Sequence, residues 1–339
     1  MNICIVGAGG IGATLGARLA LAGERVSLLA RGAHLQAIRD GGLQLTDLVD
    51  RRDATLQLPA DDDPARLARD VGVPEVVFVC LKAHAIAAML PRLAPLVGIA
   101  TVVVPAINGL PWWYFHREGS ALDGRVVRAL DPQGTMFDAL DPRHLIGCVV
   151  HVAAEVRAPG SVHHTGGRKL IVGEPDRSRS PRLARVCAAL QGAGFDAVAS
   201  DDIRQDVWWK LIGNLSFNPV AALTGYLMNQ ICADDGVLDV IRAVMNEGMA
   251  VAAAYGYPIG MTPDERIDVA RHLGAAKISM LQDLEQRRPL ELDAIVGAVL
   301  ELGQDKGIAM PATRMVHALT VARCRALGIL PGPNTGDSP

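Results

Sequence analysis

Several features that would assign a chain of this size to a common functional class are missing from the sequence. It has no block of basic residues, and 33 Lys and Arg against 36 Asp and Glu leave a formal net charge of −3. This balance argues against nucleic acid or an anionic membrane as a partner. No apolar run reaches the ~18 residues of a membrane span. The N-terminus also lacks a basic region followed by a hydrophobic signal core.

Paired cysteines are missing as well. None of the six cysteines belongs to a CxxC pair or has metal-ligand spacing. Cysteines scattered through apolar segments are typical of buried, reduced thiols, so we expect a cytoplasmic protein without a metal site. They are Cys4, Cys80, Cys148, Cys187, Cys232 and Cys324.

Aromatic residues are scarce, at 4% of the chain, but half of the 339 residues are apolar. A chain of this length and composition can build a large core and has room for two domains.

The first motif is a glycine-rich turn near the start of the chain. Residues 3–6 predict a strand, Gly7, Gly9 and Gly12 follow with GxGxxG spacing, and a helical pattern begins after them. Gly7 permits the turn, Gly9 lets a pyrophosphate approach the backbone, and Gly12 lets the helix pack on the strand. The helix N-terminus offers N–H groups to phosphates. The expected dinucleotide site comprises Gly7, Ala8, Gly9, Gly10, Ile11 and Gly12.

The second predicted strand, residues 25–29, decides which cofactor we expect. No acid occurs between Arg25 and Arg39 to bind the ribose 2′-hydroxyl of NAD. Arg31 follows the strand instead, and a guanidinium pairs well with a 2′-phosphate. The alternative is an ordinary solvated arginine at an exposed strand end. The sequence therefore predicts NADP(H).

Two further polar residues follow predicted strands. Lys82 comes after the apolar residues 75–81, and Asn108 comes after residues 99–106. The carboxyl ends of strands form the ligand crevice of an open α/β sheet, so both side chains are candidates for cofactor or substrate contact. Their alternatives are a solvated lysine and an Asn-Gly turn.

The middle of the chain predicts more strands and then a change to helices. The expected strands are residues 126–130, 148–156, 162–164, 169–172 and 195–200. We interpret the first four as an antiparallel extension of the sheet. Because strand patterns nearly vanish after Asp201, we predict an α/β Rossmann-type dinucleotide-binding domain at 1–200 and an all-α C-terminal domain at 201–330. Residues 331–339 are predicted to be a disordered tail.

A stripe of polar residues stands out in the predicted helical domain. Lys210, Asn214 and Asn218 are spaced by four among apolar neighbours, so a helix places them on one side. Pro219 disfavours helical geometry at Asn218 and frees the carbonyl of Leu215. Buried polar groups need partners, and the stripe therefore predicts a polar ligand. The alternative is a polar face turned toward water or another helix.

Six segments together resemble the ketopantoate reductase (2-dehydropantoate 2-reductase) family. They are the glycine motif 7–12, Leu81-Lys82-Ala83, Asn108-Gly109, KLIGNLSFNPVAALTG at 210–225, SMLQD at 279–283 and PLELD at 289–293. The resemblance implies a Rossmann domain followed by a helical domain like that of 6-phosphogluconate dehydrogenase. It also implies NADPH-dependent reduction of 2-dehydropantoate to pantoate, in pantothenate biosynthesis.

The resemblance also implies roles for individual residues. Lys210 matches the general acid, and Glu291 joins it in the catalytic set. Asn108, Asn214, Asn218 and Ser279 match substrate contacts. Arg31, Lys82, Asn108 and the glycine loop match cofactor contacts.

Two departures from the family pattern concern the substrate. Residues 110–115, LPWWYF, replace a small glycine-containing turn, and Leu290 replaces a small hydroxyl residue. The aromatic residues either reshape the substrate pocket or pack in the interior between domains. Another small 2-oxo acid is therefore an alternative substrate, and a non-catalytic NADP(H)-binding redox sensor is an alternative of a different class. The apolar helices at 292–303 and 312–326 fit internal packing or a homodimer equally well.

Overall fold

The computed structural model describes residues 1–330, which divide into two compact units. The first unit comprises Met1–Ile107, Pro111–Val126 and Gly134–Asp206. The second comprises Asn108–Leu110, Val127–Gln133 and the chain from Val207 onward. The two short segments show that the second unit is not continuous in sequence. The tail predicted at residues 331–339 lies outside the described residues.

Ten strands occur in residues 1–330. They are β1 (Asn2–Val6), β2 (Arg25–Leu29), β3 (Leu43–Asp47), β4 (Arg52–Leu56), β5 (Ala60–Asp61), β6 (Val76–Val79), β7 (Val102–Pro105), β8 (Gly147–Ala158), β9 (Ser161–Gly173) and β10 (Asp196–Ala199). All ten belong to the first unit.

The α-helices of the first unit are α1 (Gly10–Leu21), α2 (Gly32–Gly41), α3 (Pro64–Val71), α4 (Ala83–Met89), α5 (Thr135–Asp138), α6 (Pro181–Gly192) and the start of α7 (Ile203–Thr224). The second unit contains the rest of α7 and α8 (Met228–Ile231), α9 (Asp235–Ala254), α10 (Pro263–Arg271), α11 (Ser279–Glu285), α12 (Ala298–Asp305) and α13 (Pro311–Ala326). Two 3₁₀-helices, Leu90–Leu96 and Pro142–His144, and one π-helix, Asp293–Gly297, complete the described elements.

The first unit contains a parallel sheet with the strand order β5-β2-β1-β6-β7. Every residue of β1, β6 and β7 is buried, as expected for parallel strands covered on both faces. Together with the helical second unit, this sheet confirms the predicted fold class. The order also places the ends of β1 and β6 side by side, next to the glycine motif.

A second sheet is built around the long strand β9. β9 pairs antiparallel with β8, parallel with β3 over Ser161–His164, and parallel with β10 over Lys169–Val172. The prediction of an antiparallel extension of the first sheet was therefore wrong, because these strands form a sheet of their own. Helix α1 contacts strands of both sheets, which explains why most of its residues are buried.

Two predicted strand assignments also fail. Residues 126–130 form no strand and instead turn within the second unit's short segment. The predicted strands at 162–164 and 169–172 are parts of the single strand β9. A strand exists only where a partner accepts its backbone hydrogen bonds, and these partners come from distant parts of the chain.

Candidate active site

The glycine motif forms the turn between β1 and α1. Gly7 has a φ of +95° and donates its N–H to Leu29 O at 2.9 Å. A Cβ added to Gly12 would lie 2.0 Å from Gly7 O, so only glycine lets α1 pack this closely on the turn. Gly7 thus occupies a conformation that other residues adopt only with strain.

The N-terminus of α1 is open beside Gly9. Gly9 is exposed, nothing lies within 4 Å of where its Cβ would be, and no side chain caps the helix. No acidic residue occurs in the first turn. Four N–H groups at a helix N-terminus lack intrahelical partners and favour an anion. The geometry fits the pyrophosphate of a dinucleotide.

Gly10 has a role that the GxGxxG pattern does not indicate. A Cβ at Gly10 would lie 2.4 Å from the carbonyl oxygen of Ala154 in β8. The start of α1 therefore packs directly on the second sheet. Of the other predicted loop residues, Ala8 is buried and Ile11 is half-buried.

Arg31 lies just after β2, as predicted, and is exposed at the residue that caps α2. The carboxylate nearest to the end of this strand in the sheet is Asp61, whose residue pairs with Leu29 in the β2–β5 register. Asp61 is buried and bonds to Arg39 at 2.6 Å and to Arg66 at 3.4 Å. This acid is thus neutralised by two arginines, which leaves Arg31 as the charge displayed at this position.

Asp61 is also held ionised. Burial alone would raise the pKa of its carboxyl, but the backbone N–H of Asp63 and the charges of Arg66 and Arg39 lower that pKa overall. Lys82 follows β6 and is half-buried at the residue that caps α4. Both predicted cofactor residues outside the glycine loop therefore lie just beyond the ends of parallel strands.

Helix α7 carries the predicted polar stripe. Lys210 and Asn214 are half-buried, Asn218 is 3% exposed, and their neighbours Leu211 and Leu215 are buried. The helix continues through Pro219 to Thr224, so the expected departure from helical geometry at Asn218 was wrong. A proline is tolerated here because the packed helix retains the geometry that its isolated sequence disfavours.

Three of the predicted residues are joined by hydrogen bonds within the second unit. Lys210 Nζ donates to Asn108 Oδ1 at 2.6 Å, and Asn108 Nδ2 donates to Glu291 Oε2 at 3.4 Å. Glu291 is 5% exposed and immediately precedes the helix that begins at Leu292. The amide of Asn108 thus presents its oxygen to a cation and its nitrogen to an anion, which fixes its orientation.

The position of Asn108 depends on the π-helix Asp293–Gly297. Leu110 N donates to Ala294 O at 2.7 Å, and Gly109 between them has a φ of +82°. A Cβ at Gly109 would lie 2.4 Å from the same oxygen. The segment Asn108–Leu110 therefore packs its backbone on the turn that follows Glu291. Neither Leu110 nor Ala294 was predicted, because backbone contacts leave no signal in side-chain patterns.

Ser279 is the first residue of α11 and is half-buried. No hydrogen bond joins it to Lys210, Asn108 or Glu291 in residues 1–330. At the other end of α11, the buried Asp283 bonds to the side chain of Arg288 at 3.0 Å and accepts Arg288 N at its carbonyl. These bonds fix the turn that leads from α11 to Glu291.

The aromatic segment at 112–115 is buried within the first unit. Each of its four side chains is at most 4% exposed, and a Cβ at Gly147 would lie 2.6 Å from the ring of Trp113. The buried Arg204 donates to Tyr114 O and His116 O at 2.7 Å each. These contacts favour interior packing over a role in the substrate pocket, although the packing lies inside one unit.

Two absences concern residues 1–330. They contain no group of His, Cys, Asp and Glu arranged to hold a metal ion. None of their helices combines the length and apolar character needed to cross a membrane.

Comparisons with known proteins agree with this geometry. The family model "Ketopantoate reductase PanE/ApbA" matches residues 3–177, and "Ketopantoate reductase PanE/ApbA C terminal" matches residues 202–323. A 2-dehydropantoate 2-reductase of Mesorhizobium japonicum is 44% identical over 322 residues, covering 94% of this chain and 96% of the relative.

Two crystal structures are also similar over nearly the whole chain. A protein of Ralstonia solanacearum described as a ketopantoate reductase has a TM-score of 0.91 at 43% identity, covering 97% of this chain and 99% of the other. A 2-dehydropantoate 2-reductase of Geobacter metallireducens has a TM-score of 0.82 at 30% identity, covering 95% and 99%.

Proposed function

The chain belongs to the ketopantoate reductase family, and on that premise we propose that it reduces 2-dehydropantoate to pantoate with NADPH. It is an oxidoreductase that acts on CH–OH groups and depends on a nicotinamide dinucleotide. The choice of NADPH over NADH and the roles of the individual residues are parts of the proposal.

The observation that carries the proposal is the hydrogen-bonded series Lys210–Asn108–Glu291. Reduction of a ketone places negative charge on its oxygen, and an ammonium group can stabilise that charge and donate a proton. Asn108 orients the Lys210 ammonium by accepting one of its N–H groups. Glu291 keeps the Asn108 amide in the required orientation, so a cation, an amide and a carboxylate act as one unit.

The substrate is a small anion with a carbonyl and a hydroxyl, and the residues beside Lys210 suit it. Asn214 and Asn218 continue the stripe on α7, and their amides can hold a carboxylate or a hydroxyl without adding charge. The hydroxyl of Ser279 offers the same capacity. We propose these three residues as substrate contacts.

The first unit supplies the residues for the cofactor. The open helix N-terminus at Gly9 accepts the pyrophosphate, Arg31 pairs with the 2′-phosphate, and Lys82 adds a positive charge beyond β6. Bound NADPH supplies the hydride that the carbonyl carbon receives. Because Asp61 is engaged by Arg39 and Arg66, no carboxylate competes with the 2′-phosphate at the end of β2.

Steady-state oxidation of NADPH tests the proposed function. The purified protein is assayed with 2-dehydropantoate beside a panel of bulkier 2-oxo acids. Saturable turnover of 2-dehydropantoate is expected, with half-saturation in the ordinary range of ~1 μM to 1 mM. Turnover restricted to other acids would reassign the substrate, and NADPH binding without any turnover would contradict the enzymatic proposal.

Lys210→Ala gives a sharper prediction. Loss of the proton donor should lower kcat by ~10²-fold or more, with NADPH affinity nearly unchanged. The kinetic constants and the NADPH Kd are measured on the same preparation. Lys306→Ala is the control, because Lys306 lies on the ring of Tyr255 at 4.6 Å and has no place in the proposed site. Unchanged turnover in Lys210→Ala would show that the proton donor is another group.

A further inference from the structure

Arg266, on helix α10, is a half-buried cation without an anion. Its Nε is buried and has no hydrogen-bond partner. Within residues 1–330, none of its N–H groups donates to an acceptor and no carboxylate forms an ion pair with it. Buried charges in proteins are normally paired, since removal from water costs them several kcal/mol.

The acids closest to Arg266 along α10 are already engaged. Asp264 bonds to Arg242 at 2.8 Å, Glu265 accepts Thr262 N at 2.7 Å, and Asp268 pairs with Arg271 at 3.3 Å. Burial lowers the pKa of Arg266, but a guanidinium stays protonated at neutral pH. The positive charge therefore persists without compensation from its own helix.

Two residues of α7 form the surroundings of this guanidinium. Its carbon lies 4.4 Å from the centroid of the Trp209 ring, and its Nη2 would be 2.5 Å from a Cβ at Gly213. The ring covers one face of the planar group, while the glycine makes room for it against the helix. A cation on an aromatic face gains ~0.5–2 kcal/mol, but its in-plane N–H donors still need acceptors.

The location relates this group to the proposed site. Trp209 directly precedes Lys210, and Gly213 directly precedes Asn214, so Arg266 covers the flank of α7 next to the Lys210–Asn214 stripe. We propose that Arg266, Trp209 and Gly213 form an oxyanion subsite that receives a carboxylate of the substrate through the guanidinium N–H groups. This inference rests on the proposed function for the identity of the substrate, but not for the presence of an anion.

The test compares Arg266→Met, Arg266→Lys and Gly213→Ala with the wild type, with 2-dehydropantoate as the varied substrate. Loss of a charged hydrogen bond should raise the substrate KM about tenfold or more in Arg266→Met, with kcat changed less than about twofold. Arg266→Lys should recover part of the loss. Gly213→Ala should act in the same direction as Arg266→Met, because its methyl group displaces the guanidinium without removing the charge.

Inorganic phosphate provides a second readout that does not depend on turnover. It should raise the melting temperature of the wild type and inhibit competitively with 2-dehydropantoate, and both effects should be weaker in Arg266→Met. Arg314→Met is the matched control, since Arg314 is an exposed arginine of another helix, α13. It should leave the substrate KM and both phosphate effects unchanged.

The outcomes separate the subsite from the proposed function. A phosphate effect that depends on Arg266, in a protein that does not turn over 2-dehydropantoate, would keep the anion subsite and reject the substrate. A phosphate effect that depends on Arg266 together with an unchanged substrate KM would overturn the substrate carboxylate as occupant. If Arg266→Met changes neither the substrate KM nor the response to phosphate, the subsite does not exist.

Discussion

Arg18 and Arg204 are buried cations that the first unit stabilises in different ways. Arg18 bonds to the carboxylates of Asp47 and Asp50 at 2.5 Å each, whereas Arg204 donates to backbone carbonyls. The Arg18 network includes the buried His164, whose Nδ1 lies 3.0 Å from Asp47 Oδ1 and whose Nε2 lies 2.7 Å from Gly167 O. With an oxygen acceptor at each ring nitrogen, His164 is suited to carry both protons.

This network predicts a pH dependence of stability. Burial alone would raise the pKa of Asp47, but the backbone N–H of Asp50, His164 and Arg18 together lower it. A carboxyl whose pKa is lower in the folded state stabilises the fold above its unfolded pKa of ~4, and this contribution is lost as the pH falls through the folded value.

Asp47→Asn should therefore cost about 3 kcal/mol of unfolding free energy at pH 7, and its deficit relative to wild type should shrink below pH ~4. Urea titrations between pH 3 and 7 measure both quantities. Asp53→Asn is the control, because Asp53 is exposed on the neighbouring strand β4. An Asp47→Asn deficit that stays constant over this pH range would contradict the assignment.

Arg31 carries the residue-scale prediction for the cofactor. Arg31→Ala removes the charge proposed for the 2′-phosphate and should raise the NADPH KM about tenfold or more, while the NADH KM changes little. The ratio of the two kcat/KM values is the measurement. Arg52→Ala, an exposed arginine on β4, should leave this ratio unchanged. Equal effects on both cofactors would remove Arg31 from 2′-phosphate recognition.

The contact between Asn108–Leu110 and the π-helix is the element-scale feature with a direct functional consequence. Gly109→Ala would force a Cβ toward Ala294 O and shift Asn108 away from Lys210 and Glu291. We expect kcat to fall at least about tenfold, because misplacement by about 1 Å already costs catalysis heavily. NADPH affinity should be nearly unchanged.

Gly119→Ala is a matched control for this variant. Gly119 has the same φ of +82°, but nothing lies within 4 Å of where its Cβ would be. Both variants carry the backbone strain of a left-handed alanine, roughly 1–2 kcal/mol. Only Gly109→Ala should lose activity, so similar turnover in the two variants would assign the loss to strain alone.

The sequence predicted the elements whose signals are local. β2 matches its predicted bounds, and α3 begins at Pro64 after Asp63, whose side chain accepts Ala65 N as an N-cap. The extent of β9 and the absence of a strand at 126–130 depended on pairing partners far away in the chain. Periodicity cannot supply those partners, because it describes one segment at a time.

The candidate site shows the same limit. The polar stripe on α7 follows from spacing, but that Asn108 bonds to Lys210 and Glu291 depends on a fold that brings residues about a hundred positions apart together. The resemblance to a family named these three residues in advance. Neither the spacing nor the resemblance indicated Arg266, because an unpaired cation is recognised only when its neighbours are known.

At the scale of the whole molecule, the cysteines give a prediction about chemical reactivity. All six are free, five are buried, and burial raises the pKa of Cys4 to about 12. A thiol with a raised pKa forms little of the reactive thiolate at neutral pH. The unfolded protein should therefore react with six equivalents of Ellman's reagent, and the native protein with less than about one in the first minutes.

Ala121→Cys provides the positive control, since Ala121 is exposed and a thiol there should react at once. A native protein that consumes several equivalents as quickly as this variant would contradict the burial of its cysteines. The same buried positions make the activity independent of added reductant over the course of an assay.

The short segment Asn108–Leu110 has a further consequence for how such a chain can be recombined. It belongs to the second unit although nearly a hundred residues of the first unit follow it in the sequence. A chimera joined only between Asp206 and Val207 would therefore combine Lys210 and Glu291 of one parent with an asparagine segment inherited from the other. Evolution by simple exchange of halves would have to preserve this small insert in both parents, whereas drift in the insert would isolate each lineage from the other.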